Sequence, residues 1–244
     1  MNTNNPSSIY TSDFFAPFVE GSGRSAQRIF DVVLKVYKIE SAVDVGCGRG
    51  AWVAALRAMG VSSVVGVDGE YVDTGTLLFP KENFISMDLQ QPKPLHQRFD
   101  LAYSVEVAEH LNPKSSTGFV RFMTSLAPVV LFSAAIPGQE GVGHINAQWH
   151  SFWIKEFAAQ GYRAYDFIRP AIWHDENVYL HYRQNVLVFA DQKLSVDDQK
   201  FSSLLRSETA MCLTLVDEDI LRQQLGLRES LRRMPGQIKR WLFR

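Results

Sequence analysis

The sequence predicts an α/β fold: a doubly wound, mostly parallel sheet of seven strands with helices on both faces, followed by a helical tail. Three observations predict it. Short β-rich runs are apolar almost throughout, as strands buried on both faces are. Stretches of helical period fall between them. Strand, helix, strand then repeats along most of the chain, which is the pattern of a sheet wound in both directions.

In chain order, an apolar-spaced helix spans about residues 24–37, and the first strand runs from Ser41 to Val45. Further strands are predicted at Ser63 to Val67, Asn83 to Met87, Phe99 to Val105 and Val129 to Ile136, with Arg163 to Ile168 and Asn185 to Ala190 closing the sheet edge. Helices are predicted at Ala51 to Met59, Ser115 to Ser125 and Ser151 to Gln160. This divides the chain into an N-terminal covering segment (1–23), the α/β domain (24–190) and a polar, helical, basic tail (191–244). In such sheets ligands bind beyond the carboxyl ends of the strands, so the loops there are where chemistry is expected.

The composition narrows the class. A length of 244 residues suits one main core, and 46% apolar with 21% charged residues is globular composition, which excludes disordered, collagen-like and disulfide-stapled chains. No run reaches the roughly 18 apolar residues of a membrane span. The start, Met1-Asn2-Thr3-Asn4-Asn5-Pro6, lacks the basic-then-apolar pattern of a secretory leader, and the two cysteines, Cys47 and Cys212, suit a reducing compartment, so a cytoplasmic location is expected. Residues 220–244 carry a charge of +6, which leaves −7 for the rest of a chain whose net charge is −1. A body of that sign is a poor footprint for nucleic acid. In the tail, Leu213, Val216, Ile220, Leu227, Leu231 and Met234 approach heptad spacing, as in a helix packed on the domain or one that forms a homodimer. The final Lys239-Arg240-Trp241-Leu242-Phe243-Arg244 reads as a solvated end, with contact to a membrane surface or a partner as the alternative.

The first strand runs into Asp44-Val45-Gly46-Cys47-Gly48-Arg49-Gly50, a glycine turn that opens a helix and lets backbone amides approach a nucleotide-type ligand. The spacing is Gly-x-Gly-x-Gly, and Asp44 precedes it. A pyrophosphate prefers Gly-x-Gly-x-x-Gly and gains nothing from an acid there, so the implied ligand carries an ammonium. The second strand ends at Asp68-Gly69, 22 residues after Gly46, where a ribose diol is held. The third ends at Met87-Asp88, placed for a purine ring and its amino group. Three strand ends in order carry three acids.

These motifs, with Phe99-Asp100-Leu101, resemble those of class I S-adenosylmethionine-dependent methyltransferases over about residues 24–190. Together with Ile136-Pro137-Gly138-Gln139 and His144-Ile145-Asn146-Ala147-Gln148-Trp149 they look like an uncharacterised bacterial branch of that family. The resemblance implies a seven-stranded Rossmann-like methyltransferase sheet and S-adenosylmethionine as cofactor. It puts the methionine part on Asp44, Gly46, Cys47, Gly48 and Gly50, the ribose on Asp68 beside Gly69, and adenine on Met87 and Asp88, with Ser104 lining the same cleft. Tyr10, Phe14, Phe15 and Arg24 are expected to cover it.

After the fourth strand, Glu106, Glu109 and His110 bring two carboxylates and an imidazole into one turn, a grouping suited to taking a proton from a hydroxyl. The Glu-x-x-Glu-His arrangement also resembles the divalent-metal site of small-RNA terminal 2′-O-methyltransferases and a segment of ubiquinone-pathway O-methyltransferases. On that likeness Glu106, Glu109, His110 and His144 would hold Mg²⁺ or another divalent ion, with His150 as an alternative fourth ligand; a purely structural turn is the other reading. His144 is the first candidate for general base, followed by His110 and His150, with Glu109 to orient an imidazole. Trp149, Trp153, Trp173, Tyr182 and Arg183 are expected to wall the acceptor pocket, stacking on a sugar ring or a planar polyketide. The expected activity is O-methylation of a small hydroxylated acceptor, a saccharide or glycan ahead of a secondary metabolite. A metal-assisted RNA ribose 2′-O-methyltransferase and a non-catalytic S-adenosylmethionine-binding module stand as alternatives.

Overall fold

The computed structural model describes residues 19–194. The covering segment before residue 19, with Tyr10, Phe14 and Phe15, and the tail beyond residue 194, with Cys212, the heptad-like spacing and the basic end, lie outside the described residues.

Seven strands form one sheet in the order β3-β2-β1-β4-β5-β7-β6. They are β1 (Ser41–Val45), β2 (Ser63–Asp68), β3 (Phe84–Ser86), β4 (Leu101–Val105), β5 (Val129–Ser133), β6 (Tyr162–Tyr165) and β7 (Leu187–Asp191). The first five run parallel, β1 pairing β2 and β4, β2 pairing β3, and β4 pairing β5. β7 enters antiparallel between β5 and β6.

The helices are α1 (Val19–Leu34), α2 (Ala51–Ala58), α3 (Ser116–Leu126), α4 (His150–Ala158), α5 (Ile168–Ile172) and α6 (Leu180–Asn185). The apolar strand runs are explained by two cores, one on each face. Leu101 and Tyr103 of β4 and Val129 and Leu131 of β5 point into a core with Phe30, Trp52 and Leu56 of α1 and α2. Their neighbours Ala102, Val130 and Phe132 point into a second core with Phe119 and Met123 of α3 and Trp153 and Phe157 of α4. The period of two thus serves two buried faces, so polarity does not alternate.

Two connections between strands bear on the site. Between β2 and β3 the chain makes only 3-10 turns, at Thr74–Thr76 and Lys81–Asn83. That stretch is strapped to the glycine turn: Leu78 N–H donates to Arg49 O at 2.9 Å, and the Phe79 ring fills the space that Cβ atoms on Gly50 and Gly66 would enter. The long connection before β7, for which no helix is predicted, folds into α5 and α6. Arg169 anchors it with a buried fork onto Asp166, at 2.9 and 2.5 Å, and donates to Gln184 O at 3.0 Å. Helices of five and six residues carry too little periodicity to be read in advance.

Candidate active site

The glycine turn leaves β1 through Gly46, Gly48 and Gly50, with φ of 88°, 50° and 84°. At Gly46 the freedom is needed twice, because a Cβ would also lie 2.3 Å from Val107 Cγ2. Gly50 is the N-cap of α2 and its carbonyl accepts from Ala54 N–H, so the open end of that helix faces the turn. Cys47 turns its sulfur inward against Gly66, so only its backbone belongs to the turn.

Behind the turn two carboxylates are buried, Asp44 with 4% and Asp68 with 3% exposure. Burial and then the charge of Asp68 push Asp44 well above the usual carboxylate range. Among the described residues neither forms an ion pair with a Lys or Arg side chain. Burial also raises Asp68, so two buried acids stand where a cation would favour their ionised forms, and in this respect the residues fit the ammonium and sulfonium of S-adenosylmethionine. Asp68 is otherwise well served: Gly48 N–H donates to Oδ2 and Gly69 N–H to Oδ1, both at 2.7 Å, and Tyr71 Oη donates to Oδ1. Sequence reasoning missed Tyr71; its only signal was an aromatic residue three positions past the acid. Met87 N–H donates to Asp68 O at 2.8 Å, which links the second and third acid-tipped ends. Asp88 is exposed and caps its own loop by accepting from Gln90 N–H at 2.9 Å. Ser104 Oγ is buried without a hydrogen-bond partner.

The other half of the site begins where β4 ends. Glu106 is the one non-glycine among the described residues with positive φ, 55°, and its N–H is held by Ser133 O at 3.1 Å and Ser133 Oγ at 3.2 Å. That conformation costs about 1–2 kcal/mol and persists where the surroundings impose it. The turn brings Glu109 inward to 0% exposure, and neither carboxylate oxygen has a hydrogen-bond partner. Burial, then the nearby Glu106 charge, drives its carboxyl well above the usual range, against the opposing pull of the Glu109 and Ala135 N–H groups.

His110 and His144 meet edge to face, ring centres 5.0 Å apart. Each places Nδ1 on a carbonyl, His110 on Gly143 O at 3.3 Å and His144 on Gln139 O at 3.1 Å. A carbonyl only accepts, so both Nδ1 atoms are donors and both Nε2 atoms carry the lone pair. Burial, then His144, lowers His110 to about 4, so its imidazole is neutral at physiological pH. Glu109, His110 and His144 bring one ligand atom each within 4.8 Å of one another. Glu106 does not join them. Its carboxylate takes Gln139 Nε2 at 2.9 Å and Asn185 Nδ2 at 3.1 and 3.3 Å, so the implied four-ligand set reduces to three.

Asn146 fastens this arrangement, donating from Nδ2 to Ala108 O and Ser116 Oγ, both at 3.0 Å, and from its N–H to Glu109 O at 2.9 Å. Gly141 makes room for His144, since a Cβ there would lie 2.1 Å from His144 Nε2. Burial lowers the pKa of His181 on α6, where the charges of Glu106 and His144 are also felt. His150 is buried at the start of α4 near Arg169 and the Asn185 backbone; burial and then Arg169 lower it to about 4.

Of the expected acceptor wall, Trp149 is the most open at 46% exposure. Two members need correction. Trp153 packs in the core against Phe132 and Phe152, and Tyr182 packs edge-on against Trp52 with its hydroxyl on Ser22 Oγ. Their apolar area serves the two cores, which α4 and α6 must cover. Trp173 is half-buried and its carbonyl accepts from Arg183 Nη1 at 2.9 Å.

The strand order, the reversed seventh strand and the acid-tipped parallel strands define the class I, Rossmann-like methyltransferase fold. A family model described as a methyltransferase domain matches residues 16–169, and the chain belongs to that family. Solved structures agree in fold. The pyocyanin biosynthetic protein PhzM superposes with a TM-score of 0.53 at 14% identity, over 73% of this chain and 58% of its own. The CcbJ methyltransferase from Streptomyces caelestis gives 0.53 at 12%, over 70% and 89%. The methyltransferase domain of bacterial CtHen1-C gives 0.51 at 18%, over 69% and 98%. The chain thus spans less than two thirds of the length of PhzM, and no curated protein matches it in sequence.

Proposed function

We propose that the protein transfers a methyl group from S-adenosylmethionine to an oxygen of a small hydroxylated acceptor, a saccharide or glycan ahead of a polyketide- or quinone-like metabolite. The observation that carries this reading is the pairing of a glycine turn and two buried acids with the His110 and His144 imidazoles one strand away. When bound, the cofactor supplies a methyl already activated on a sulfonium. The chain's own work is then to orient the acceptor oxygen and remove one proton. Asp44 and Asp68 hold the cationic ligand and its diol at the ends of β1 and β2. His110 and His144, each with its Nε2 lone pair fixed by a carbonyl on Nδ1, are the groups able to take the acceptor's proton. Trp149 offers a face for the acceptor ring.

A second reading is favoured by one observation, the unpartnered Glu109 carboxylate beside two Nε2 lone pairs. Glu109, His110 and His144 would hold a divalent ion, which would supply Lewis-acid acidification of the acceptor hydroxyl. Full turnover in excess chelator, with no metal in the purified protein, ends that reading.

The main test is a calorimetric titration with S-adenosylmethionine, alongside NAD, of the wild type and Asp68→Ala. The expected result is a Kd near micromolar, about −8 kcal/mol, for S-adenosylmethionine only, and clearly weaker binding by the variant. Binding unaffected by the substitution overturns the role of Asp68. No binding by folded, ligand-free protein overturns the function.

A further inference from the structure

We propose that the Tyr71 hydroxyl stands in for one hydroxyl of the cofactor's ribose, holding its place on Asp68 and swinging out when S-adenosylmethionine binds. The inference rests on the methyltransferase reading and deepens it, since it says how the ribose acid is reached.

The count of hydrogens on Asp68 calls for an exchange. A carboxylate has about four lone-pair sites, shared evenly between its oxygens. Oδ1 takes the Gly69 N–H at 2.7 Å and the Tyr71 hydroxyl, which fills it, while Oδ2 takes only the Gly48 N–H at 2.7 Å. A ribose diol brings a hydroxyl hydrogen for each oxygen and meets an open site on Oδ2 alone. To hold the diol across both oxygens, Asp68 must give up one donor on Oδ1.

Tyr71 is the donor able to leave. The other two are backbone groups, Gly48 within the glycine turn and Gly69 directly after β2, and neither moves without unmaking the fold around it. Tyr71 reaches Asp68 through a side chain, and it is half-buried where Asp68 is 3% exposed, so its ring has a way out. A tight turn aims it: Val72 N–H donates to Gly69 O at 3.1 Å, which puts Tyr71 inside the turn with the buried Val72 at its end. Gly69 admits the ring, since a Cβ there would lie 2.2 Å from Tyr71 Cε1. Rotation of the Tyr71 side chain therefore opens the contact and leaves the turn as it is.

The exchange is close to even in hydrogen bonds. Burial pushes Asp68 up, and the Tyr71 hydroxyl is the largest of the hydrogen bonds that oppose it. A ribose hydroxyl puts back the same kind of bond, O–H to carboxylate, so the buried acid is short of a donor in neither arrangement. A ligand without the diol puts nothing back and gains nothing by displacing the tyrosine. A ligand that must open such a self-contact binds in proportion to the fraction of molecules in which it is open, so removing the hydroxyl raises the affinity.

The test titrates the full chain with S-adenosylhomocysteine by calorimetry, and with adenosine and 2′,3′-dideoxyadenosine by ligand-observed NMR. In Tyr71→Phe, which keeps the ring and removes only the hydroxyl, binding of S-adenosylhomocysteine and adenosine is expected to tighten about fivefold, and that of 2′,3′-dideoxyadenosine to stay within about twofold of the wild type. Tyr71→Ala is the second variant and is expected to show the same diol-dependent gain. Unchanged or weaker binding of S-adenosylhomocysteine in both variants overturns the exchange and makes Tyr71 a fixed support of Asp68. An equal gain for the two nucleosides also overturns it, because the bulk of the ring and not its hydroxyl is then at work. A wild type that binds none of the three ligands fails the methyltransferase reading instead, which is a separate result.

Discussion

At the ends of β1 to β3 the buried carboxylate of Asp68 takes hydrogens from Gly48, Gly69 and Tyr71, whereas beyond β4 the still more buried carboxylate of Glu109 takes none. The two acids stand at the same sheet edge, Asp68 as the last residue of β2 and Glu109 in the 3-10 turn Ala108–His110 beyond β4. The contrast teaches what each half is built for. Around Asp68 the fold finishes the carboxylate itself, which orients it before any ligand arrives. Around Glu109 the fold leaves the polar groups unfinished, at a cost in stability that a bound partner can return.

The sharpest way to break that comparison is Glu109→Gln. On the divalent-ion reading, in which Glu109 is a ligand, turnover is expected to fall by about three orders of magnitude, roughly 4 kcal/mol, in a cofactor-saturated assay. The same substitution is expected to stabilise the metal-free fold at pH 8. The sign follows from the raised pKa of Glu109: the native state holds a proton that the unfolded chain releases, so the contribution is full below the ordinary carboxylate pKa and is lost as pH rises through the folded value. A neutral isostere removes that loss, worth about 2 kcal/mol by urea unfolding. Lower stability of the variant at pH 8 refutes the idea of an unfinished carboxylate.

His150 sharpens the comparison from the opposite sign. Its folded pKa is lowered from 6.5 to about 4, so between those values the unfolded chain binds a proton that the native state refuses. Stability present above pH 6.5 is therefore lost as pH falls toward 4, by about 3 kcal/mol from this group. Urea midpoints across that range should show a shallower pH slope in His150→Gln than in the wild type. An unchanged slope removes His150 from the account.

The smallest expected effect is at the lip of the acceptor half. Gly141→Ala forces the His144 ring to move, because the added Cβ would lie 2.1 Å from Nε2. Turnover is expected to drop about tenfold, roughly 1.4 kcal/mol, with cofactor affinity unchanged. A variant with full turnover shows that the position of His144 is immaterial.

The cofactor half was the legible one. Glycine spacing, strand runs and the acid at each strand end are local signals, because one turn of backbone both builds the loop and carries the ligand-facing group. The identity of Gly46 and Gly50 follows from backbone conformations that side chains resist. Glu106, Glu109 and His110 were visible for the same reason, as three chemical groups within one turn.

What only the tertiary structure decided is how distant segments share that turn. Asn185 meets Glu106 across 79 positions and Gln139 across 46, and His110 meets Gly143 across 33. Nothing in the spacing of these residues announces such contacts. The same limit made Trp153 and Tyr182 look like pocket walls, since an aromatic side chain has the same letter whether it closes a core or lines a cleft. The sequence by itself determined the sheet, its order of acid-tipped strands and the residue types at the reacting end, because periodicity and backbone conformation act over a few residues. Which carboxylate is satisfied, which is left bare and which aromatics face outward was decided by packing, because burial and hydrogen-bond supply are properties of the assembled interior.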